Sequence, residues 1–109
     1  MAIELLEGWS EQEQDVARQV FEQVYQRTIV RLIADLQEKA SALSSAEAVW
    51  QLHDFLSIER HRIEGRFSFE GQGVLFVLAS FVKDELLQLD ELTGLDADKL
   101  AKISAMSRF

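Results

Sequence analysis

An all-α fold is what this sequence predicts, and three observations predict it. Its 109 residues contain no proline and only five glycines, the two residue types that cost a helix interior about 3 and about 1 kcal/mol. Two strings, "SEQE" at 10–13 and "SSAE" at 44–47, have the capping-box form. In that form a Ser hydroxyl and a Glu carboxylate satisfy the first free amides of a helix. Elsewhere apolar residues recur at steps of three and four, the period of one helical face.

The first helix starts after Ser10, with Glu13 reaching back, and nothing breaks it before Ala42. Its stripe is Val16, Val20, Phe21, Val24, Leu32, Ile33, Leu36, Ala40 and Leu43. About 32 residues make a helix of ~48 Å at ~1.5 Å per residue. A single domain of this length has a radius of gyration near ~13 Å, so it is only ~30–35 Å across. The rest of the chain is too small to cover so long a stripe. A second copy is expected to cover it, most simply across a two-fold axis. The alternative is a kink or break near "QRTIVR".

The second helix begins at "SSAE" and is predicted to stop at Gly65, a natural residue just past a helix end. Arg60, His61 and Arg62 then lie near its negative end. "GRFSFEGQG" is loop-like. "VLFVLASFVKDELLQL" opens with a run short enough for a strand, but Leu75, Leu78, Val82, Leu86 and Leu89 continue a helical pattern. A helix buried on most sides is predicted there. After a break at "DELTGLD" comes a last helix, with Asp96 as its cap and a Leu95–Leu100 staple. Leu100, Ile103 and Met106 form its inner stripe.

Charge and composition restrict the partners. The net charge is −8, from 19 acidic and 11 basic residues, with no basic run. Phosphate backbones are held chiefly by Lys and Arg, so no nucleic-acid partner is expected. The same balance disfavours an electrostatic hold on anionic membranes and favours protein partners. There is no cysteine, hence no disulfide and no thiolate metal site. "VLFVLASFV", the longest apolar run, is about half of the ~18 residues that a span needs. "MAIELLEGWS" is too short and acidic for a signal peptide, so a soluble protein is expected.

The chemistry-bearing residues concentrate in "VWQLHDFLSIERHRIEG", residues 49–65. At ~100° per residue, with Trp50 as zero, Val49, Leu52, Leu56 and Ile63 gather between about 200° and 260°. His53, Ser57, His61 and Asp54 gather with Trp50 between about 300° and 40°, and Arg60 falls near 280°. Trp50 therefore stands on a polar face, where it is either a protein-binding hot spot or covered by another segment. His53 and His61 are ~12 Å apart along the axis, too far to share one metal ion. No metalloprotease, calcium-loop or phosphate-loop motif is present. A hydrolase using Asp54 and His61 lacks an obvious nucleophile.

That string, followed by "VLFVLASFVKDELLQLDELTGLDADKLAKI", resembles the fluorescence recovery protein family of cyanobacteria. The similarity spans roughly residues 9–109 and includes "YQR" of the first helix. It is strongest from Trp50 to Lys102 and most specific in W-x-L-H-D-F-L with its downstream R-H. The first residues and the loop "FSFEGQG" depart from the family pattern.

The resemblance implies a single all-helical, dimeric protein. A variable tail covers 1–9, a long helix 10–43 and a helical head 44–109. It implies binding of the photoactivated red form of the orange carotenoid protein, mainly through that photoreceptor's C-terminal domain. The red form then returns faster to orange and leaves the phycobilisome, so antenna fluorescence recovers. The implied patch is Trp50, His53, Asp54, Arg60, Phe76 and Lys102. No enzymatic step, metal, nucleotide or carotenoid of its own is implied, nor any small-molecule substrate. The implied place is the cytoplasmic side of the thylakoid, with at most peripheral membrane association. A related helical dimer or scaffold with another protein partner is the alternative.

Overall fold

A computed structural model describes residues 8–67 and 73–109 of the chain. Its described residues form four α-helices, namely α1 (Glu11–Ser41), α2 (Ala46–Arg66), α3 (Val74–Lys83) and α4 (Ala97–Met106), with a short 3-10 helix at Leu89–Leu92. The predicted all-α class is what is found. The chain divides into two compact units: a core unit of Met1–Tyr25 with Phe69–Phe109, and a hairpin unit of Gln26–Ser68.

In the core unit the first capping box forms in both directions. The Ser10 amide donates to Glu13 Oε1 and the Glu13 amide to Ser10 Oγ, each at 3.0 Å. The start of α1 buries Ala17, Val20, Phe21 and Val24, while Val16 is half-buried. Phe21 meets Phe81 of α3 edge to face, with ring centroids 5.3 Å apart. Val74, Leu78, Ala79 and Phe81 are buried, and four further α3 residues are half-buried, while Phe76 and Lys83 are exposed.

That helix is shorter than its periodicity predicts. It stops at Lys83 because Glu85 turns left-handed at φ 60°. The Glu85 amide donates to Val82 O and the Leu86 amide to Phe81 O at 2.9 Å, the two bonds of a Schellman stop. Leu86 and Leu87 are then buried from a turn, not from a helix. A side chain in this conformation costs roughly 1 kcal/mol that glycine avoids, offset partly by glycine's greater freedom when unfolded. Glu85→Gly is therefore expected to be neutral to about 1 kcal/mol stabilising. Urea unfolding checks this, and a clear loss of stability would mean that the Glu85 side chain itself holds the turn.

A side-chain box at Gln88 and Glu91 opens the 3-10 helix, where the Gln88 amide donates to Glu91 Oε2 at 2.8 Å. Leu92 is fully buried and Leu95 nearly so. Between them Gly94 adopts φ +116°, closely facing Val16. Asp96 caps α4, accepting from the Lys99 amide at 2.8 Å. Of the predicted inner stripe, Ile103 is fully buried while Leu100 and Met106 are half-buried.

In the hairpin unit α1 continues unbroken to Ser41, so the alternative break near "QRTIVR" does not occur. The cap of α2 is Ser45 and not Ser44, because its hydroxyl accepts from the Ala48 amide at 3.1 Å. Glu47 instead accepts from the Gln51 side chain one turn on. The helix also runs past its predicted stop. Gly65 stays helical, and the Phe67 amide closes the end on Ile63 O at 3.1 Å. Most of the predicted "GRFSFEGQG" loop, residues 68–72, lies outside the described residues. Lys39 sits 4.7 Å over the Phe55 ring beside the turn.

The apolar stripes of this unit are not buried. No residue of α2 is buried. Val49 and Leu56, expected in its core stripe, are 43% and 41% exposed, and Leu52 and Ile63 are half-buried. On α1, Leu32 and Leu36 are half-buried, whereas Ile33 and Ala40 are exposed, as is Leu43 just past the helix end.

Candidate functional site

The candidate residues on α2 share one helix whose start is fixed by the Ser45 cap. Trp50 is 65% exposed, so no other described segment of its own chain covers it. His53 and Asp54 lie beside it and touch each other, His53 Nδ1 to Asp54 Oδ1 at 3.2 Å, with both side chains largely in solvent. Asp54 is thus paired with its neighbour. Arg60 donates from Nε to Glu64 Oε1 at 2.9 Å, one turn further along the helix. This bond, together with the Glu64 charge, holds the guanidinium more firmly protonated than usual. Arg62 pairs with Glu59 at 3.0 Å. The arrangement offers an indole, a bonded His–Asp pair and an Arg fork along one exposed helix. Such groups recognise a protein surface by stacking and hydrogen bonding.

Phe76 and Lys102 belong to the core unit, on α3 and α4. Phe76 is 70% exposed, although Val74, Leu78, Ala79 and Phe81 of the same helix are buried. Lys102 Nζ pairs with Asp98 Oδ2 at 3.1 Å on the surface of α4.

Among the described residues a different charged group is the least exposed, and the sequence reading missed it. Lys99 Nζ lies 2.8 Å from the Gly8 carbonyl, 3.1 Å from Asp96 Oδ2 and 3.3 Å from Glu13. It also sits 5.2 Å over the Trp9 ring. Only about a tenth of the Lys99 and Glu13 side chains is exposed. Glu13 additionally accepts from the Asp96 amide at 2.9 Å, so one carboxylate serves the starts of α1 and α4. The Ser10 amide, and then the Asp96 amide and Lys99, pull Glu13 below its ordinary range against the opposing effect of burial. Asp96 is lowered by the Lys99 amide and then by its side chain. Burial alone favours the neutral Lys99 amine, yet Asp96 and Glu13 together raise it. The one available signal was Lys99 standing three residues after the Asp96 cap.

Comparison with known proteins places this architecture. Residues 9–107 match the family described as photoprotection regulator fluorescence recovery protein. The chain is 41% identical over 100 residues to the fluorescence recovery protein of Synechocystis sp., a match covering 92% of each chain. Among solved structures it resembles the Fremyella diplosiphon fluorescence recovery protein at TM-score 0.87 and 44% identity, covering 94% of this chain and 100% of that one. The Synechocystis structure matches at TM-score 0.86 and 40% identity, covering 93% of this chain and 99% of that one. Extended over nearly the whole of both chains, these matches make the protein a member of the fluorescence recovery protein family of photoprotection regulators.

Proposed function

We propose that this protein binds the photoactivated orange carotenoid protein, chiefly through that photoreceptor's C-terminal domain, and speeds its return to the orange form. Release from the phycobilisome and recovery of antenna fluorescence follow. The observation that carries this reading is Trp50, 65% exposed on α2 beside His53 and Asp54. Phe76, exposed on α3, and Lys102 on α4 are the second group of contacts in the proposal.

The reaction is a conformational relaxation with no bond made or broken, so the protein acts as a regulator and not as an enzyme. A helper that binds every state equally well leaves the rate unchanged. It must hold the barrier state, with the photoreceptor's two domains re-docking, more tightly than the red starting state. Each ~1.4 kcal/mol of that preference gives about tenfold in rate. No cofactor enters this scheme.

The working form in this proposal is a homodimer. Val30, Ile33, Val49, Leu56 and Ile58 of the hairpin unit are between 41% and 66% exposed, more apolar surface than a folded monomer leaves uncovered without reason. Trp50 and Arg60 lie on the same helix, α2, and the test below assigns each to that contact or to the photoreceptor. For location, we propose the cytoplasmic side of the thylakoid, where phycobilisomes sit. No helix among the described residues is long and apolar enough to cross a membrane.

The test is the dark decay of the photoactivated photoreceptor, followed by absorbance with substoichiometric chain. Faster return to orange is expected. Trp50→Ala should cut the acceleration at least about tenfold, the scale of a hot-spot residue, and Arg60→Leu should weaken it. Sedimentation of each variant separates the two roles, because loss of activity in an intact dimer assigns the residue to the photoreceptor. A decay unchanged by folded wild-type chain would sink the proposed activity.

A further inference from the structure

The net charge of this protein belongs to one of its two units. Residues 1–25 contain six acidic residues and one basic, and residues 69–109 contain seven and four. The core unit therefore carries the whole −8. The hairpin unit, with six of each sign, is neutral.

Ion pairing within each unit leaves this contrast in place. In the core unit Lys99 is buried against Glu13 and Asp96, Lys102 is paired with Asp98, and Lys83 donates to the Phe109 carbonyl. Three of its five basic residues thus have their charge compensated locally or directed at a carbonyl. The string "DELLQLDE" at 84–91 places four carboxylates directly after α3, the helix that presents Phe76. The hairpin unit has no excess of either sign. Its ions pair with each other, as in Arg60–Glu64 and Arg62–Glu59. It also carries most of the exposed large apolar side chains of the described residues, from Val30 to Ile58.

We propose that the core unit docks, with Phe76 as its apolar anchor, on a basic surface of its protein partner, whereas the hairpin unit associates by neutral apolar contact. This deepens the function proposed above and rests on it. It adds the chemistry of the surface that receives Phe76 and the way the two associations respond to salt. A strongly acidic unit is repelled by acidic surfaces and drawn to basic ones over a Debye length, which shrinks from ~30 Å at 0.01 M to ~10 Å at 0.1 M salt. Charges of this kind act mainly on the association rate. Apolar contact between neutral surfaces has no such dependence.

The experiment measures association of the photoreceptor's isolated C-terminal domain with the full chain by stopped flow, between about 20 and about 300 mM NaCl. Sedimentation equilibrium of the chain alone runs alongside. The association rate should fall at least about tenfold across that range, while self-association stays within about twofold. Asp84→Asn with Asp90→Asn should slow association roughly two- to fivefold at low salt and flatten the salt dependence. Phe76→Ala should raise the dissociation rate and leave the salt dependence in place. Binding whose rate is indifferent to salt, or rises with it, overturns the basic-surface proposal and leaves the function standing. No binding of folded chain at any salt overturns both.

Discussion

Gly94→Ala is expected to destabilise the core unit by about 3 kcal/mol. Two independent costs combine there. Gly94 sits at φ +116°, where a residue with a Cβ is strained by roughly 1–3 kcal/mol. An added Cβ would also lie 2.9 Å from Val16 Cγ2, inside contact distance, and relieving that overlap costs about 1–3 kcal/mol more. The turn has little room to shift, since Leu92 and Leu95 on either side are buried and Asp96 follows as the cap of α4. For a domain of this size the melting temperature should drop by roughly 10–20 °C. Adding Val16→Ala should restore the steric share and leave the backbone share. Thermal melts by circular dichroism separate the two, and a loss below about 1 kcal/mol would mean that the turn gives way freely.

Lys99→Met is expected to cost about 2 kcal/mol, because it strands the nearly buried Glu13 carboxylate without its cation. The figure is below the ~3–5 kcal/mol of a deeply buried pair, because Asp96 is 55% exposed and lets water reach one side of the cluster. Adding Glu13→Gln should recover part of the loss. It removes the orphaned charge, and an amide can still accept from Ser10. The pH response follows from the signs. Glu13 and Asp96 are lowered on folding, so their contribution is complete above their unfolded values near pH 4 and fades as pH falls below them. Lys99 is raised, so its share is lost only in strong alkali. Lys99→Met should make the acid slope shallower without abolishing it, since the Ser10 and Lys99 amides remain the first causes of the two carboxylate shifts. A melting temperature equal to wild type at neutral pH would show that the cluster carries no net stability.

The elements that were legible in the sequence are those written by neighbouring residues. Ser10 and Glu13 form their box as spelled, and Asp96 caps α4. With two adjacent serines the box pattern pointed to Ser44, but the hydroxyl that reaches a free amide is that of Ser45. The end of α3 was illegible for another reason. Leu86 is buried whether it sits in a helix or in the turn after one, and nothing about a glutamate announces left-handed backbone. Lys99 was missed because Glu13, its buried partner, is 86 residues away in the chain. The wheel placed Trp50 opposite the apolar stripe of α2; the indole is exposed, but so are Val49 and Leu56 of the stripe, so exposure does not separate the two faces. It could not tell what covers the stripe itself, since periodicity reports which residues share a face and not what they meet.

The absence of any buried residue in α2 has a consequence for dosage. A helix of twenty-one residues without a fully buried side chain rests on its Ser45 cap, a few ion pairs, the half-buried Leu52, Phe55 and Ile63, and its own propensity. Helices get most of their stability from packing an apolar face, and without it they are marginal in water. The strip bearing Trp50, His53, Asp54 and Arg60 is then fully formed only while its apolar side is covered, in our proposal by a second copy. If the proposed photoreceptor is the partner, apparent affinity for it scales with the fraction of chains in that state. Dilution alone would weaken binding, with every residue intact. Recovery of fluorescence would rise more steeply than in proportion to the number of chains in the cell, so that a small change in expression acts as a threshold.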